Sequence, residues 1–280
     1  MPSPACYCQP RPHRPEAVSC LGGGWWTFGL ILALLPGLAG GAAPSSALLS
    51  VPVSPSTVRP PEGFRVAHGP DSATQDAAVR ILQVAYARAG LNLQPETLPA
   101  PRAAQRLEAG RLDGDAARIA PYFDAHPMLQ RVGPPLMRVP QVAYTRADAR
   151  FTVRSVADLR GRRVGIVRGL MQSARLVAGL DRVTEVTSGV QLYRMLDAGR
   201  LDVVVDAPLN ARRHTAALGL RTVVAQATLC EEPVYRGLHR RHAAVAPRVA
   251  AALEAMQASG ELAALATGAP DGVGSLLAHR

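Results

Sequence analysis

Arginine, carboxylate and aromatic side chains recur where an apolar run of this chain gives way to a polar turn. His68 and Asp71 close FRVAHGPD, and Arg118, Tyr122 and Phe123 lie in AARIAPYFDA. Arg168, Gly169, Met171 and Gln172 lie in VGIVRGLMQ, and Asp206 and Asn210 in VVVDAPLNA. Arg118 and Arg168 each carry a planar fork of donors suited to a carboxylate or a phosphate. Asp206 can accept from an amine or hydroxyl, and Tyr122 with Phe123 can form an apolar wall with one polar handle. That combination points to recognition of a small polar solute, anionic or zwitterionic. Each residue also has a purely structural reading. Arg118 can pair with Asp113 or Asp115, Arg168 can stand at a solvated rim, and Asp206 can cap the turn PLN. His68 can be a turn residue, and Gly69 and Gly169 can serve the backbone alone.

Catalysis finds little support. There is no G-x-S-x-G elbow, H-E-x-x-H pair or phosphate-binding loop, and Cys230 has no obvious local base. Glu231 and Glu232 are adjacent, so in an extended segment they point to opposite faces and form no dyad. One cysteine after the N-terminal region builds neither a disulfide framework nor a zinc site. The reading is a binding protein with no metal, no cofactor and no enzymatic activity.

These residues need a scaffold that brings distant segments together. Short apolar runs alternate with stretches of helical periodicity. FRVAHGPD is predicted as a strand and TQDAAVRILQVAYARAG as a helix with Thr74 as cap and Gly90 as stop. A strand LNLQPETLP, a helix over about 101–109 and a strand DGDAARI follow. The order then repeats with LRGRRVGIVRG, LMQSARLVAGL, RVTEVTS, VQLYRMLDAGRLD and VVVDAPLN. The pentapeptide AGRLD stands at the same joint in both series, at residues 109–113 and 198–202. In each, glycine would close the helix in a left-handed conformation and Leu-Asp would start the third strand. The fold class is therefore α/β, with two Rossmann-like βαβ lobes and parallel pairing in each. PPLMRVPQVAYTRAD and RTVVAQATLCEEPVYRGLHRR are extended and long enough to cross between lobes, which makes a two-strand hinge. APRVAAALEAMQASGELAALA ends the folded part as a helix. Ligands of open parallel sheets bind beyond the carboxyl ends of strands, near helix N-termini, and that rule selects the residues named above.

The composition bounds the remaining choices. Of 280 residues, 48% are apolar and 19% charged, values of a folded chain and not of a disordered one. The formal charge of +10 raises nucleic acid as a partner, but all 31 basic residues are arginine, they are scattered, and aromatics make up only 4%. Drift of the whole coding sequence explains that pattern as well, so no nucleic-acid partner is expected. WWTFGLILALLPGLAG, residues 25–40, follows Arg11, His13 and Arg14 and precedes small residues. This describes a secretory signal peptide cleaved near Ala43, with an uncleaved anchor as the alternative. The expected organisation is a signal peptide over 1–43, a Pro/Ser-rich linker over 44–62, lobe I over 63–142 with 228–280, and lobe II over 143–227.

The stretches SVADLRGRRVGIVRG, LYRMLDAGRLDVVVDAPLNA and VYRGLHRRHAAVAPRVAAALEAMQASGEL, with LEAGRLDGDAARIA, resemble the extracellular solute-binding proteins of bacterial transporters, the type II family that includes the amino-acid binders. The weight lies in their order and spacing, since each motif is short. The resemblance implies a periplasmic, monomeric two-lobe clamp that closes on a small-molecule solute and hands it transiently to a membrane permease. Relatives on this plan also serve as ligand-sensing receptor domains, and a few are periplasmic enzymes. Two departures weaken the expectation of an α-amino acid. IAPYFDAHPM lacks the Thr and Arg that such binders present after the first joint, and Gly169-Leu170 stands where they often have Gly-Thr.

Overall fold

The computed structural model describes residues 63–267; the signal peptide and linker expected before them lie outside the described residues. Lobe I is built from β1 (Phe64–His68), α1 (Ala73–Arg88), β2 (Leu93–Thr97), α2 (Ala100–Glu108), β3 (Gly114–Ile119) and α3 (Ala120–Ala125). The long strand β4 (Leu129–Arg146) leads into lobe II, which holds a 3-10 turn (Val156–Leu159), β5 (Val164–Val167), α4 (Met171–Leu176), β6 (Val183–Val186), α5 (Gly189–Asp197), β7 (Val203–Asp206) and α6 (Pro208–Leu218). A second long strand, β8 (Val223–His239), returns to lobe I. A 3-10 turn (Arg240–Val245), α7 (Ala246–Ala258) and α8 (Glu261–Ala266) follow it.

The strand order is β2-β1-β3-β8-β4-β7-β5-β6. Within each lobe the three short strands pair in parallel, as the alternation of strand and helix requires. β4 and β8 pair antiparallel along most of their length, while β8 also joins β3 and β4 also joins β7. Each long strand is thus shared between the lobes, which is the two-strand hinge. Its register breaks between Val132 and Met137, where Pro134 and Pro135 have no N–H to give to the ladder.

The lobes have separate cores. In α1 the residues at helical spacing, Ala77, Ala78, Ile81, Leu82 and Ala85, are all buried, and Val249, Leu253 and Met256 of α7 lie in the same lobe I core. Each such Leu or Ile contributes about 1.5–3 kcal/mol by leaving water. In lobe II, Val164, Ile166, Val203 and Val205 form one core on the β5–β7 sheet, and Leu192, Leu196 and Val204 form another under α5.

Several expectations need correction. Ser72 caps α1, not Thr74: its side chain accepts from the Gln75 amide. The final helix is two helices, broken at Gly260 with φ 78°. Two short helices, α3 and α6, follow β3 and β7 where a turn was expected; both carry proline in the first turn, where its missing N–H costs nothing.

Candidate ligand-binding cleft

The strands of both lobes point their carboxyl ends at one cleft. Several helices start there, among them α1 from lobe I and α4 and α6 from lobe II. Two connected chambers occupy the space between. An inner chamber of ≈ 60 Å³ is lined by Arg118, Tyr122, Gln141, Met171, Gln172 and Asn210, with Ser72, Thr74 and Gln75 beside them. An outer chamber of ≈ 290 Å³ adds Asp71, Pro99, Arg168, Thr187 and His214.

Arg118 ends β3 and is 7% exposed, with its guanidinium 2.8 Å from the fully buried Asp115 carboxylate. Residues three apart on a regular strand face opposite ways. Here the register against β8 shifts between Asp115 and Arg118, and that irregularity turns both side chains to one side. Burial works against the Arg118 charge, but Asp115 outweighs it and holds the group above its ordinary pKa. The guanidinium carbon lies 4.5 Å over the Tyr122 ring. Burial pushes the Tyr122 phenol up to about 12, so it remains a neutral donor. Among the described residues, neither Arg118 Nε nor the Tyr122 hydroxyl has a hydrogen-bond partner. Behind them Arg236 is fully buried, with Nε 2.9 Å from the Tyr86 hydroxyl and Nη1 3.2 Å from the Asp115 carbonyl oxygen. Two buried guanidinium groups therefore stand at this end of the cleft, Arg118 on the Asp115 carboxylate and Arg236 on the backbone carbonyl of the same residue.

Lobe II meets them with neutral groups. Gln172 donates to the Val139 carbonyl (2.7 Å), Ser173 donates to Gln141 (2.7 Å), and Gln141 donates to Gln172 (3.3 Å). This amide network fixes the N-terminus of α4 against the hinge strand. Asp206, at the end of β7, accepts from the Ala207 amide (2.8 Å) and from Asn210 Nδ2 (3.0 Å). It is 1% exposed, and burial pushes its carboxyl up to about 6.

Of the residues predicted from sequence, Arg118, Tyr122, Met171, Gln172 and Asn210 line the inner chamber, and Asp71 and Arg168 the outer one. Arg168 is at an exposed rim, 3.3 Å from Glu185. His68, Phe123, Gly169 and Asp206 do not line either. His68 bonds Thr97 at 2.9 Å, and Phe123 packs edge-on to Tyr122. Gly169, at φ 85°, lies so close to α2 that a Cβ would come 2.8 Å from Ala100. Asp206 lies beneath Asn210 and orients it. The polar cleft residues absent from the sequence prediction are Ser72, Thr74, Gln75, Gln141, Ser173, Thr187 and His214. Ser72 carried a signal, a small hydroxyl residue just before the helical period. Gln141 carried none, because the crossing strand's register decides where it points.

No family model matches the chain. An uncharacterized protein of Shewanella oneidensis is 25% identical over 182 residues, which is 63% of this chain and 69% of that one. Among solved structures, a mutant of the arginine-binding protein ArgBP from T. maritima aligns with TM-score 0.61 and 17% identity, covering 73% of this chain and 93% of that one. The chain has the fold of type II periplasmic binding proteins. A histidine kinase sensor domain with similarity to periplasmic binding proteins aligns equally well on this fold, with TM-score 0.62, 18% identity and coverage of 74% and 95%. The amino acid ABC transporter substrate-binding protein AbpA of Streptococcus pneumoniae, bound to L-arginine, gives 0.61, 15%, 74% and 94%. Among the described residues no helix is long and apolar enough to cross a membrane.

Proposed function

We propose that this protein is a periplasmic clamp that closes on a small solute bearing one carboxylate, anionic or zwitterionic, and delivers it to a membrane transporter. The observation that carries this reading is Arg118. A guanidinium nitrogen buried at the cleft with no acceptor is costly unless something supplies one. The Tyr122 hydroxyl beside it lacks a partner too, and the second buried arginine leaves this end positive even after Asp115 is counted. A carboxylate set between Arg118 and Tyr122 satisfies both donors and the charge. Asp71 lines the outer chamber, so a solute with an amine at its other end complements the cleft as a zwitterion. The neighbours of this fold that bind arginine support an amino-acid-like solute, and the apolar stretch before the described residues supports export.

The sensor-domain neighbour favours a second reading, in which the same clamp reports a solute to a receptor. Thermal-shift screening of the exported protein against amino acids, short dicarboxylates, polyamines and sugars tests the shared part. A ligand at a hundred times its Kd stabilises the native state by about 2.7 kcal/mol. A carboxylate-bearing hit is expected; a best hit that is a polyamine or a neutral sugar contradicts the carboxylate site. Deleting the gene then separates the two readings, since loss of solute uptake marks transport and loss of a solute-dependent transcriptional response marks sensing.

A further inference from the structure

The N-terminus of α1 is capped twice, once from its own lobe and once from the other. Ser72 accepts from the Gln75 amide in the usual way, which leaves the Thr74 amide without a partner in lobe I. That amide donates across the cleft to Asn210 Oδ1 of α6 at 3.1 Å. The hydroxyls of Ser72 and Thr74 converge on the same oxygen, each at 3.3 Å. Three donors at a helix N-terminus are the surroundings of an anionic oxygen. Here a neutral amide of the opposite lobe holds the position.

The orientation of that amide is set by its other end. Asn210 Nδ2 donates to Asp206 at 3.0 Å, and a flipped amide would set its NH2 against three donors while facing the carboxylate with its oxygen. One turn along α6, Arg213 pairs with Asp76 in the first turn of α1 at 2.6 Å, so the same helix face is held to α1 from outside the cleft.

The structure assigns to Asn210 the role of a built-in acceptor that sets specificity: it fills the anion position at the N-terminus of α1 as the lobes close, leaving a solute's acidic group only Arg118. A second acidic group reaching α1 would have to displace Asn210 and would then stand against Asp206. The cleft therefore accepts monocarboxylates and rejects dicarboxylates of similar size. The rejection rests on the carboxylate-clamp reading; the cross-lobe cap does not.

Two measurements on the full exported protein test this with Asn210→Ala and Asn210→Leu, the second keeping volume while removing the acceptor. Without ligand, amide hydrogen exchange at Thr74 is expected to speed up by about five- to tenfold in both variants, the loss of one cap-sized bond. Calorimetry with glycine, alanine, succinate and glutamate is expected to show the dicarboxylate-to-monocarboxylate affinity ratio rising at least tenfold over wild type. Unchanged Thr74 exchange in both variants overturns the cross-lobe cap. An unchanged ratio overturns the specificity role. A wild type that binds none of the four overturns the carboxylate reading and the specificity role together, while Thr74 exchange still decides the cap.

Discussion

The third strand of each lobe begins alike and ends differently. At residues 109–113 and 198–202 the AGRLD joints share their main backbone and side-chain bonds. Gly110 and Gly199 have φ of 65° and 66°, and each donates at 3.0 Å to a carbonyl of the preceding helix. Leu112 and Leu201 are buried, and Asp113 and Asp202 each donate a backbone N–H at 2.8 Å to Arg65 and Arg163. Each aspartate side chain then accepts the amide of that same arginine, again at 2.8 Å. At the cleft end, β3 finishes in Arg118 over Asp115, and β7 finishes in Asp206 under Asn210. The repeat is architectural. It fixes where a helix hands over to a strand, and the ends of those strands are free to carry opposite charge, a donor in lobe I and an acceptor in lobe II.

The joints also differ in what the aspartate holds beyond its backbone bond, and the largest expected loss of stability follows from that. Asp113 is buried and takes Arg241 and His242 (2.7 Å) from the segment after β8, whereas Asp202 takes the partly exposed side chain of Arg163. Asp113→Ala should cost about 2 kcal/mol, because a buried carboxylate that gathers donors from two segments is lost. Asp202→Ala should cost about 1 kcal/mol, since its pair is half in water. Denaturant melts of both variants check the order, and equal losses would mean the joints are equivalent in energy as well as in geometry.

The aspartate before β3 and the aspartate that ends β7 make opposite statements about pH. Asp113 lies below the ordinary carboxyl value: burial raises it, but the Arg241, Arg65 and His242 bonds outweigh burial. Its contribution to stability is present above the unfolded value of 3.8 and is lost as pH falls through the lowered value. Asp206 is raised to about 6, chiefly by burial. Between 3.8 and about 6 the folded chain holds a proton that the unfolded chain has released, so this group's contribution falls as pH rises through that window. Asp206→Asn should remove that slope, with a relative gain of about 2–3 kcal/mol from pH 4 to pH 7. Parallel pH–stability curves for wild type and variant would show that Asp206 does not titrate there.

The glycines carry an effect of about the size of Asp202→Ala. An alanine at either would sit in left-handed backbone, and its Cβ would meet Arg241 at 3.0 Å in one joint and Arg146 at 2.8 Å in the other. Gly110→Ala and Gly199→Ala should each cost about 1 kcal/mol or slightly more, by the same amount within error. A clear inequality in their melts would break the equivalence of the joints at the backbone.

Much of this was legible in the sequence because it is local. The strand and helix order, the repeated joint and the two crossing strands follow from periodicity, glycine placement and length. Arg118 was legible because a strand end is a rule of this architecture, and so was its alternative partner Asp115, although the strand irregularity that lets them meet was not. α6 was missed because Pro208 after Asp206 looks like a turn until the following residues find α5 of their own lobe, and α1 across the cleft, to pack on. Arg168 lines the outer chamber, as a strand end in this architecture implies, yet nothing local could say that Glu185 stands 3.3 Å from it. Asn210 was marked as a site residue, but its bond to α1 exists only when the lobes come together, and no spacing along the chain encodes that.

The most direct test of the carboxylate site is calorimetric affinity for the best carboxylate hit in wild type, in Arg118→Met with Asp115→Asn, and in Arg168→Ala. The first variant removes both members of the buried pair, so neither is left unpaired, and Arg236 keeps its bonds to the Tyr86 hydroxyl and the residue-115 carbonyl. Truncating a buried charge contact costs about 2–5 kcal/mol, so the paired variant is expected to lose at least thirtyfold in affinity. Arg168→Ala, exposed and already paired, is expected to stay within about threefold. Affinity unchanged in the paired variant, or lost instead in Arg168→Ala, would contradict Arg118 as the seat of the solute's carboxylate.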